Sequence, residues 1–460
     1  MVLGAYALLQ VVLGLWVARR VRGASDFFVA GRRLGPGLLF ATLVAANIGA
    51  GSTVGATGLG YRDGLGAWWW VGSAGIGSIF LAFFVGPRIR RIAAEQGLHT
   101  VGDYLERRYH KSVRGTVAVL LWVGTLVILA GQLIAAGKIL HVVTGLPPEV
   151  GSLVGGVAMT VYFTAGGLLG AARVHALQLV VEVSVFVALL PAALAGAGGW
   201  DAVVARVPPD ASYWSFWQGG LSGIGYLAVL APAFVISPGL LQKVYGARDD
   251  RAVRIGVGLN AAFLLLFAFI PTLLGIVARS RHPGLPDHEL ALPTMLLHDL
   301  PPLLGALGLA AAFTTDVNTA DAILFMLSTS LAQDLYRGFV DREASDAKVL
   351  RVARGAAVLG GALGVVLAVV MPSVIGALTI FYTLLGVCLF VPILAGLFLP
   401  RTGTAEALAS IAAGLGLTLV VHVATGGRGL GGVPPALLGI AAGAVAAAAV
   451  AALRRRTGPA

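Results

Sequence analysis

The chain has 460 residues, of which 58% are hydrophobic and only 12% are charged, whereas a soluble domain carries about 25% charged residues. Apolar stretches of about 20 residues, long enough to cross the hydrocarbon core of a bilayer, recur along its whole length. These properties exclude a soluble enzyme. They also exclude a nucleic-acid partner despite the net charge of +11, because the basic residues lie in the loops between apolar stretches, and they predict an all-α polytopic membrane protein.

The predicted elements are transmembrane helices, about 13 of them by the length criterion. The first is 2–18, because MVLGAYALLQVVLGLWVARR lacks the basic n-region and small-residue cleavage site of a signal peptide. The others are predicted at 37–60, 65–86, 115–141, 149–168, 173–196, 219–242, 253–278, 302–336, 350–371, 374–398, 405–425 and 434–453.

The basic residues predict the orientation of these helices. If the N-terminus lies outside, 26 of the 32 Lys and Arg residues, including Lys243, fall in loops on the inside, as the positive-inside rule requires. An odd number of spans then places the C-terminus in the cytoplasm. The expected location is therefore the cell membrane, and we expect this to be the inner membrane of a bacterium.

Two predicted spans contain helix-breaking residues at their centres. The second, LVAANIGAGSTVGATGLGY, contains residues 49–51 (GAG), and the seventh, LAPAFVISPGLLQKVYG, contains residues 237–239 (SPG). A break in hydrocarbon leaves backbone groups unpaired and is tolerated where they line a cavity. Each break alone could be an ordinary kink. Because the breaks are five spans apart, however, they indicate an inverted repeat of two five-helix halves, 37–196 and 219–400.

Several stretches carry a resemblance to a known family. They are SDFFVAGRRLGPGLLFATLVAANIGAGSTVGATGLGYRDGLGAW, HTVGDYLERRY, VYFTAGGLLGAARVHALQ, LLQKVYG and NTADAILFMLSTSLAQDLY. With them the chain resembles the sodium:solute symporter family. The resemblance implies a leucine-transporter-type inverted-repeat fold, with an extra N-terminal helix and cytoplasmic loop at 1–36, a ten-helix transport core at 37–400, and two additional helices with a short cytoplasmic tail at 401–460.

The resemblance also implies a sodium site between the first and eighth core helices. Its ligands would be the backbone oxygens of Ala45 and Ile48, the carbonyl of Thr315, and the side chains of Asn318 and Thr319. The spacing is suitable, because positions i, i+3 and i+4 share one face of a helix. Asn318 replaces the serine that is usual in the family, and an amide oxygen is still an acceptable ligand for a hard cation.

The fifth core helix departs from the family pattern. Many members carry T-D-x-x-Q after G-G-L, but this chain has His175 in place of the carboxylate, and a second sodium site is therefore in doubt. One hypothesis is that a His175 imidazolium occupies that space with Asp321 as its counter-ion, which would make transport sensitive to pH. The alternative is a neutral histidine bonded to the backbone.

Asp316 points about 140° away from Asp321 on the same helix and needs a different partner. It could contact a basic group of the substrate, or it could make a structural hydrogen bond to a neighbouring helix. Glu182, two turns after His175, could extend the polar seam, snorkel to the membrane surface or be protonated. Lys138, near an outer helix end, is interpreted as a snorkelling lysine.

The substrate cavity is predicted to be small and mildly polar. At the positions where sugar-transporting relatives hold polar sugar ligands, this chain has Ser52, Val71, Ser237 and an apolar stretch around Ala261. A compact carboxylate, amino acid or related solute is therefore favoured over a sugar. The candidate substrate-binding residues are Asn47, Ser52, Thr53, Trp69, Gln132, Ser237, Asp316 and Tyr382, although the tryptophans at 68–70 could instead form an interfacial belt.

The sequence thus predicts a symporter that imports a small organic solute with Na⁺ by alternating access. The expected partners are the solute, the lipid bilayer and Na⁺ as cofactor, and no obligatory protein partner is evident. A proton-coupled transporter that uses Asp321 and His175 is one alternative. A transporter-like sensor is another, and the short C-terminal RRRTGPA disfavours it.

Overall fold

The computed structural model describes residues 32–217 and 223–457, except for the side chains of residues 162, 164–178, 456 and 457. The described part of the chain is helical, and its only strand-like pairings are two isolated bridges. The predicted first span, 2–18, lies outside the described residues. The predicted all-α class is confirmed.

The N-terminal half of the described chain begins with a helix that is interrupted and then resumes. Helix α1 ends before a short extended segment, and a π turn at Gly51–Gly55 leads into α2. A second π turn, Leu81–Val85, separates α3 from α4. The helices of this half are α1 (Pro36–Asn47), α2 (Ala56–Asp63), α3 (Trp68–Phe80), α4 (Gly86–Glu95), α5 (Val101–Arg108), α6 (Lys111–Thr144), α7 (Pro148–Gly196) and α8 (Trp200–Arg206).

The second half also has an interrupted helix near its start, where Ser237 separates α9 from α10. A long π segment, Ser330–Val340, extends α14. The helices of this half and the C-terminal region are α9 (Tyr226–Ile236), α10 (Pro238–Tyr245), α11 (Asp250–Phe267), α12 (Phe269–Arg281), α13 (Ala291–His298), α14 (Pro302–Thr329), α15 (Asp346–Val370), α16 (Val374–Phe398), α17 (Thr404–Thr425) and α18 (Pro435–Thr457).

Nine helical segments of the described residues are long and apolar enough to cross a membrane. Helix α7 differs from the expectation, because one helix of 49 residues covers the two spans predicted at 149–168 and 173–196. The stretch between them, GLLGAARV, contains no proline and is mostly good helix formers, so a charge at Arg173 does not by itself end the helix. The count of about 13 spans stays a prediction.

The interior is mostly apolar but contains a polar stretch on α14, and the outer surface carries large apolar side chains. The stretch of α14 from Gly308 to Thr329 is buried except at Ala322, and it packs against α6, α7 and α15. The peripheral helices expose large apolar side chains, such as Leu266, Val423 and Val445, which are 68–74% accessible. Because such a surface is unfavourable in water and suits hydrocarbon, it supports a polytopic membrane protein.

Candidate ion and substrate site

The first helix break is held open by hydrogen bonds from side chains. Ile48 leaves the helical region with φ −94° and ψ 107°. The amide of Ala50 donates to Gln132 Oε1 at 3.0 Å, and the amide of Gly49 donates to Ser52 Oγ at 2.9 Å. A Cβ atom at Gly49 would overlap the Thr319 side chain, so the close approach of α1 to α14 requires glycine here.

Three of the five predicted sodium ligands meet at this break. The hydroxyl of Thr319 donates to the carbonyl of Ile48 at 2.8 Å and lies 3.5 Å from the carbonyl of Ala45. The helix break supplies the two carbonyls, since neither points into a continuing α-helical ladder. The arrangement brings three oxygen atoms from two helices together.

The two remaining predicted ligands lie on the same helix as Thr319. The hydroxyl of Thr315 donates to the backbone carbonyl of Ala312 at 2.7 Å. The predicted ligand is the backbone carbonyl of Thr315. The amide nitrogen of Asn318 donates to Glu182 Oε1 at 2.9 Å, whereas its Oδ1 atom is buried and has no hydrogen-bond partner in the described part of the chain. An orphaned buried oxygen of this kind is suitable for binding a cation.

Three buried carboxylates lie near this position on α7 and α14. Glu182 does not snorkel but is buried and bonded to Asn318. Asp316 is fully buried, and neither of its carboxylate oxygens has a hydrogen-bond partner among the described residues. No structural hydrogen bond to Asp316 is therefore formed by the described side chains. Asp321 is also buried, but the His175 side chain lies outside the described residues, so their pairing stays a prediction.

A cavity of about 80 Å³ lies between the two helix breaks. Five of the eight candidate substrate residues line it: Asn47, Ser52, Gln132, Ser237 and Tyr382. Thr53, Trp69 and Asp316 do not belong to its lining.

Trp69 and Thr53 have structural contacts instead. The Trp69 indole donates to the carbonyl of Phe216 at 2.8 Å and packs against the Phe216 and Trp217 rings. The Thr53 hydroxyl donates to Gly49 at 2.9 Å. The neighbouring Trp70 lines the cavity, because consecutive helical residues differ in direction by about 100°.

Lys243 is a cavity residue that the sequence reasoning missed. The positive-inside count assigned it to a cytoplasmic loop, but it lies within α10 and lines the cavity. The signal that could have found it is its spacing, because Lys243 is four residues after Gly239 and therefore shares a helix face with the second break.

Lys138 does not snorkel, and that interpretation was wrong. Its ammonium is buried between Glu289 Oε2 at 2.5 Å and Asp287 Oδ2 at 2.6 Å. The Glu289 carboxylate also accepts hydrogen bonds from the amides of Val374 and Ile375 at 3.0 Å each, at the N-terminus of α16. Lys138 therefore belongs to a closed group of charges, which we call the outer ion cluster (Lys138, Asp287 and Glu289).

Comparison with known proteins places this geometry in a family. The model of the sodium:solute symporter family matches residues 27–414. The chain is 26% identical to the human sodium/iodide cotransporter, over 91% of this chain and 69% of that protein. It is also 26% identical to the sodium/pantothenate symporter of Escherichia coli, over 90% and 88% of the two chains.

A solved structure of a Na⁺-coupled sialic acid symporter, in a substrate-bound outward-open state, superposes with a TM-score of 0.82 at 17% identity, over 98% of this chain and 96% of that one. This likeness shows that the fold is of the leucine-transporter type. Members of the family are transporters and not enzymes, and Na⁺ is the coupling ion. The chain belongs to the sodium:solute symporter family.

Proposed function

We propose that this protein imports a compact organic solute through the central cavity, driven by one Na⁺ bound at the first helix break. The observation that carries the proposal is the meeting of the Thr319 hydroxyl with the carbonyls of Ile48 and Ala45. The carbonyl of Thr315 and the unpartnered Oδ1 of Asn318 would complete a set of five oxygens, which suits a hard cation.

The placement of these ligands supports coupling to a conformational change. Ala45 and Ile48 belong to the interrupted helix that lines the cavity, whereas Thr319 belongs to α14. A cation that binds both helices stabilises the arrangement in which they are close. It shifts the conformational equilibrium by its difference in affinity for the two arrangements. Solute in the adjoining cavity would bind most tightly to the same arrangement.

The cavity lacks, at two positions, the side chains that bind sugar in sugar-transporting relatives, and this narrows the proposed substrate class. Val71 and Ser237 both line it, at positions where the family resemblance places sugar ligands in sugar transporters. Relatives of this chain are named for iodide, pantothenate, glucose and choline, so only the lining residues separate a sugar from other solutes. We therefore propose a small solute other than a sugar, imported across a cell membrane by a protein with its N-terminus outside and its C-terminus in the cytoplasm.

The proposal is tested by uptake in proteoliposomes that contain the purified full chain. A panel of labelled carboxylates, amino acids and sugars is offered under an inward Na⁺ gradient, a K⁺ gradient or a proton gradient. We expect uptake of a non-sugar solute under the Na⁺ gradient alone. Uptake driven by protons without Na⁺ would favour the alternative mechanism through Asp321 and His175, and specific solute binding without uptake would favour a sensor.

A further inference from the structure

The lining of the central cavity includes a single charged side chain. Among the described residues around it, Lys243 is the only acidic or basic one. Lys243 is partly accessible even though it lies in a short helix inside the protein. Its accessible surface is therefore available to a molecule in the cavity.

The charge of Lys243 is not neutralised by the described part of the chain. Its Nζ atom makes no ion pair there and has one long hydrogen bond, 3.4 Å to the carbonyl of Gly239 in its own helix. A basic side chain at membrane depth is costly and normally pairs with an anion. Because the described chain provides no anion for Lys243, we expect a ligand in the cavity to provide it.

The other walls of the cavity are mostly apolar, and two of their polar groups are already hydrogen-bonded. Trp70 and Phe234 both pack against Tyr382, with ring centroids 6.2 and 5.5 Å apart. The Asn47 amide donates to Asn260, and the Ser52 hydroxyl donates to backbone carbonyls of the break. An apolar body fits the aromatic wall, whereas an ammonium group finds no carboxylate among the described lining residues.

We propose that Lys243 recognises a carboxylate group of the substrate and that the transported solute is a small organic carboxylate with an apolar body and no ammonium group. This inference rests on the proposed function, because it assigns the substrate class of the same cavity. The positive end of α10, which begins at Pro238 beside the cavity, adds to the attraction for an anion.

The test measures binding to the purified full chain by ligand-induced shifts in melting temperature. The probes are linear monocarboxylates from acetate to hexanoate together with benzoate, each compared with its primary amide and its amine. The variants are Lys243→Met, Lys243→Gln as a second neutral variant, and Lys243→Arg. Lys348→Met removes an exposed lysine paired with Asp341 and is the matched control. All titrations are repeated with K⁺ in place of Na⁺.

We expect at least one carboxylate to bind in Na⁺, and its amide and amine to bind much more weakly. Loss of a charge-assisted hydrogen bond weakens binding by about 10-fold or more, so the Met and Gln variants should lose the preference for acid over amide. The Arg variant and Lys348→Met should keep it.

Two results would overturn the inference. One is that no carboxylate binds more tightly than its amide and its amine. The other is unchanged carboxylate affinity in whichever neutral variant retains a monodisperse gel-filtration profile. Carboxylate binding that depends on Lys243 but not on Na⁺ supports the inference and contradicts the proposed sodium coupling. Na⁺-dependent binding of an amine contradicts the inference and supports the proposed sodium coupling.

Discussion

The outer ion cluster and the central cavity each contain a lysine inside the protein, but only one of the two lysines is neutralised by the described chain. Lys138 lies between two carboxylates, one of which also caps the N-terminus of α16. Lys243 has no carboxylate partner in the described part of the chain and faces a cavity. A membrane protein can neutralise a buried cation permanently with its own groups or leave that role to a ligand. The first arrangement fixes structure, and the second provides a site.

The outer ion cluster connects three separate elements. Lys138 is on α6, Glu289 is in the short 3₁₀ turn before α13, and Val374 begins α16. Both carboxylate oxygens of Glu289 are used, and its side chain is fully buried. The buried charges of the cluster are therefore paired within the protein, and removal of the lysine should affect stability.

The largest expected effect is on the outer ion cluster. Lys138→Met leaves Glu289 buried without its cation, and breaking a buried ion pair costs about 3–5 kcal/mol in the free energy of unfolding. The measurement is unfolding of the detergent-solubilised protein. Lys348→Met, which breaks an exposed pair, should lower the free energy of unfolding much less, because solvent screens such a pair. Equal effects of the two variants would show that the cluster is not the stabilising group described above.

The next effect is on sodium affinity in the cavity region. Thr319→Val removes one oxygen at the first break, and we expect the Na⁺ concentration for half-maximal thermal stabilisation to rise by about 10-fold. Thr314→Val is the matched control, because that buried hydroxyl donates only within its own helix, to Ala310. If both variants shift the Na⁺ dependence equally, the ion does not bind at Thr319.

A smaller effect is expected from Glu182, which acts on the sodium site through Asn318. Glu182→Leu removes the acceptor of the Asn318 amide, so the amide can rotate and its oxygen is less well placed. We expect Na⁺ affinity to fall by roughly 3-fold to 10-fold, in the lower range for the loss of one neutral hydrogen bond. Glu182→Gln retains an acceptor oxygen and should behave like the wild type. The Na⁺ titration of melting temperature measures both, and a loss in the Gln variant would assign Glu182 a charge-dependent role instead.

The smallest expected loss of stability is that of Lys243→Met. Because Lys243 neutralises nothing in the described chain and an unpaired basic side chain inside a membrane protein is unfavourable, this substitution should not lower the free energy of unfolding. The same unfolding measurement is used as for Lys138→Met. A decrease in the free energy of unfolding as large as that of Lys138→Met would show that Lys243 has a structural role.

Much of the fold could be predicted because it depends on composition and on local backbone chemistry. Runs of apolar residues predicted an all-α membrane protein, and the residues around Gly49 and Pro238 predicted interruptions where the structure has them. The family resemblance predicted that Ala45, Ile48 and Thr319 lie close together. These features depend on residues close in sequence or on motifs shared with relatives.

The missed features depend on tertiary partners. The residues near Lys138 in the sequence do not indicate that it pairs with Glu289, because Glu289 is 151 residues away. A lysine without a visible partner is therefore predicted to snorkel. Trp69 and Trp70 are neighbours in sequence but face different surroundings, and only packing against Phe216 or Tyr382 distinguishes them. Lys243 was assigned by counting charges, although its distance from the helix break places it at the cavity.

The most direct test of the central claim is equilibrium binding of radioactive Na⁺ to the purified wild-type chain, to Thr319→Val and to Thr314→Val. We predict saturable Na⁺ binding to the wild type and to Thr314→Val, and binding weakened by about 10-fold in Thr319→Val. Saturable binding of equal affinity in all three proteins would contradict a sodium site at the first helix break, and so would the absence of saturable binding to the wild type.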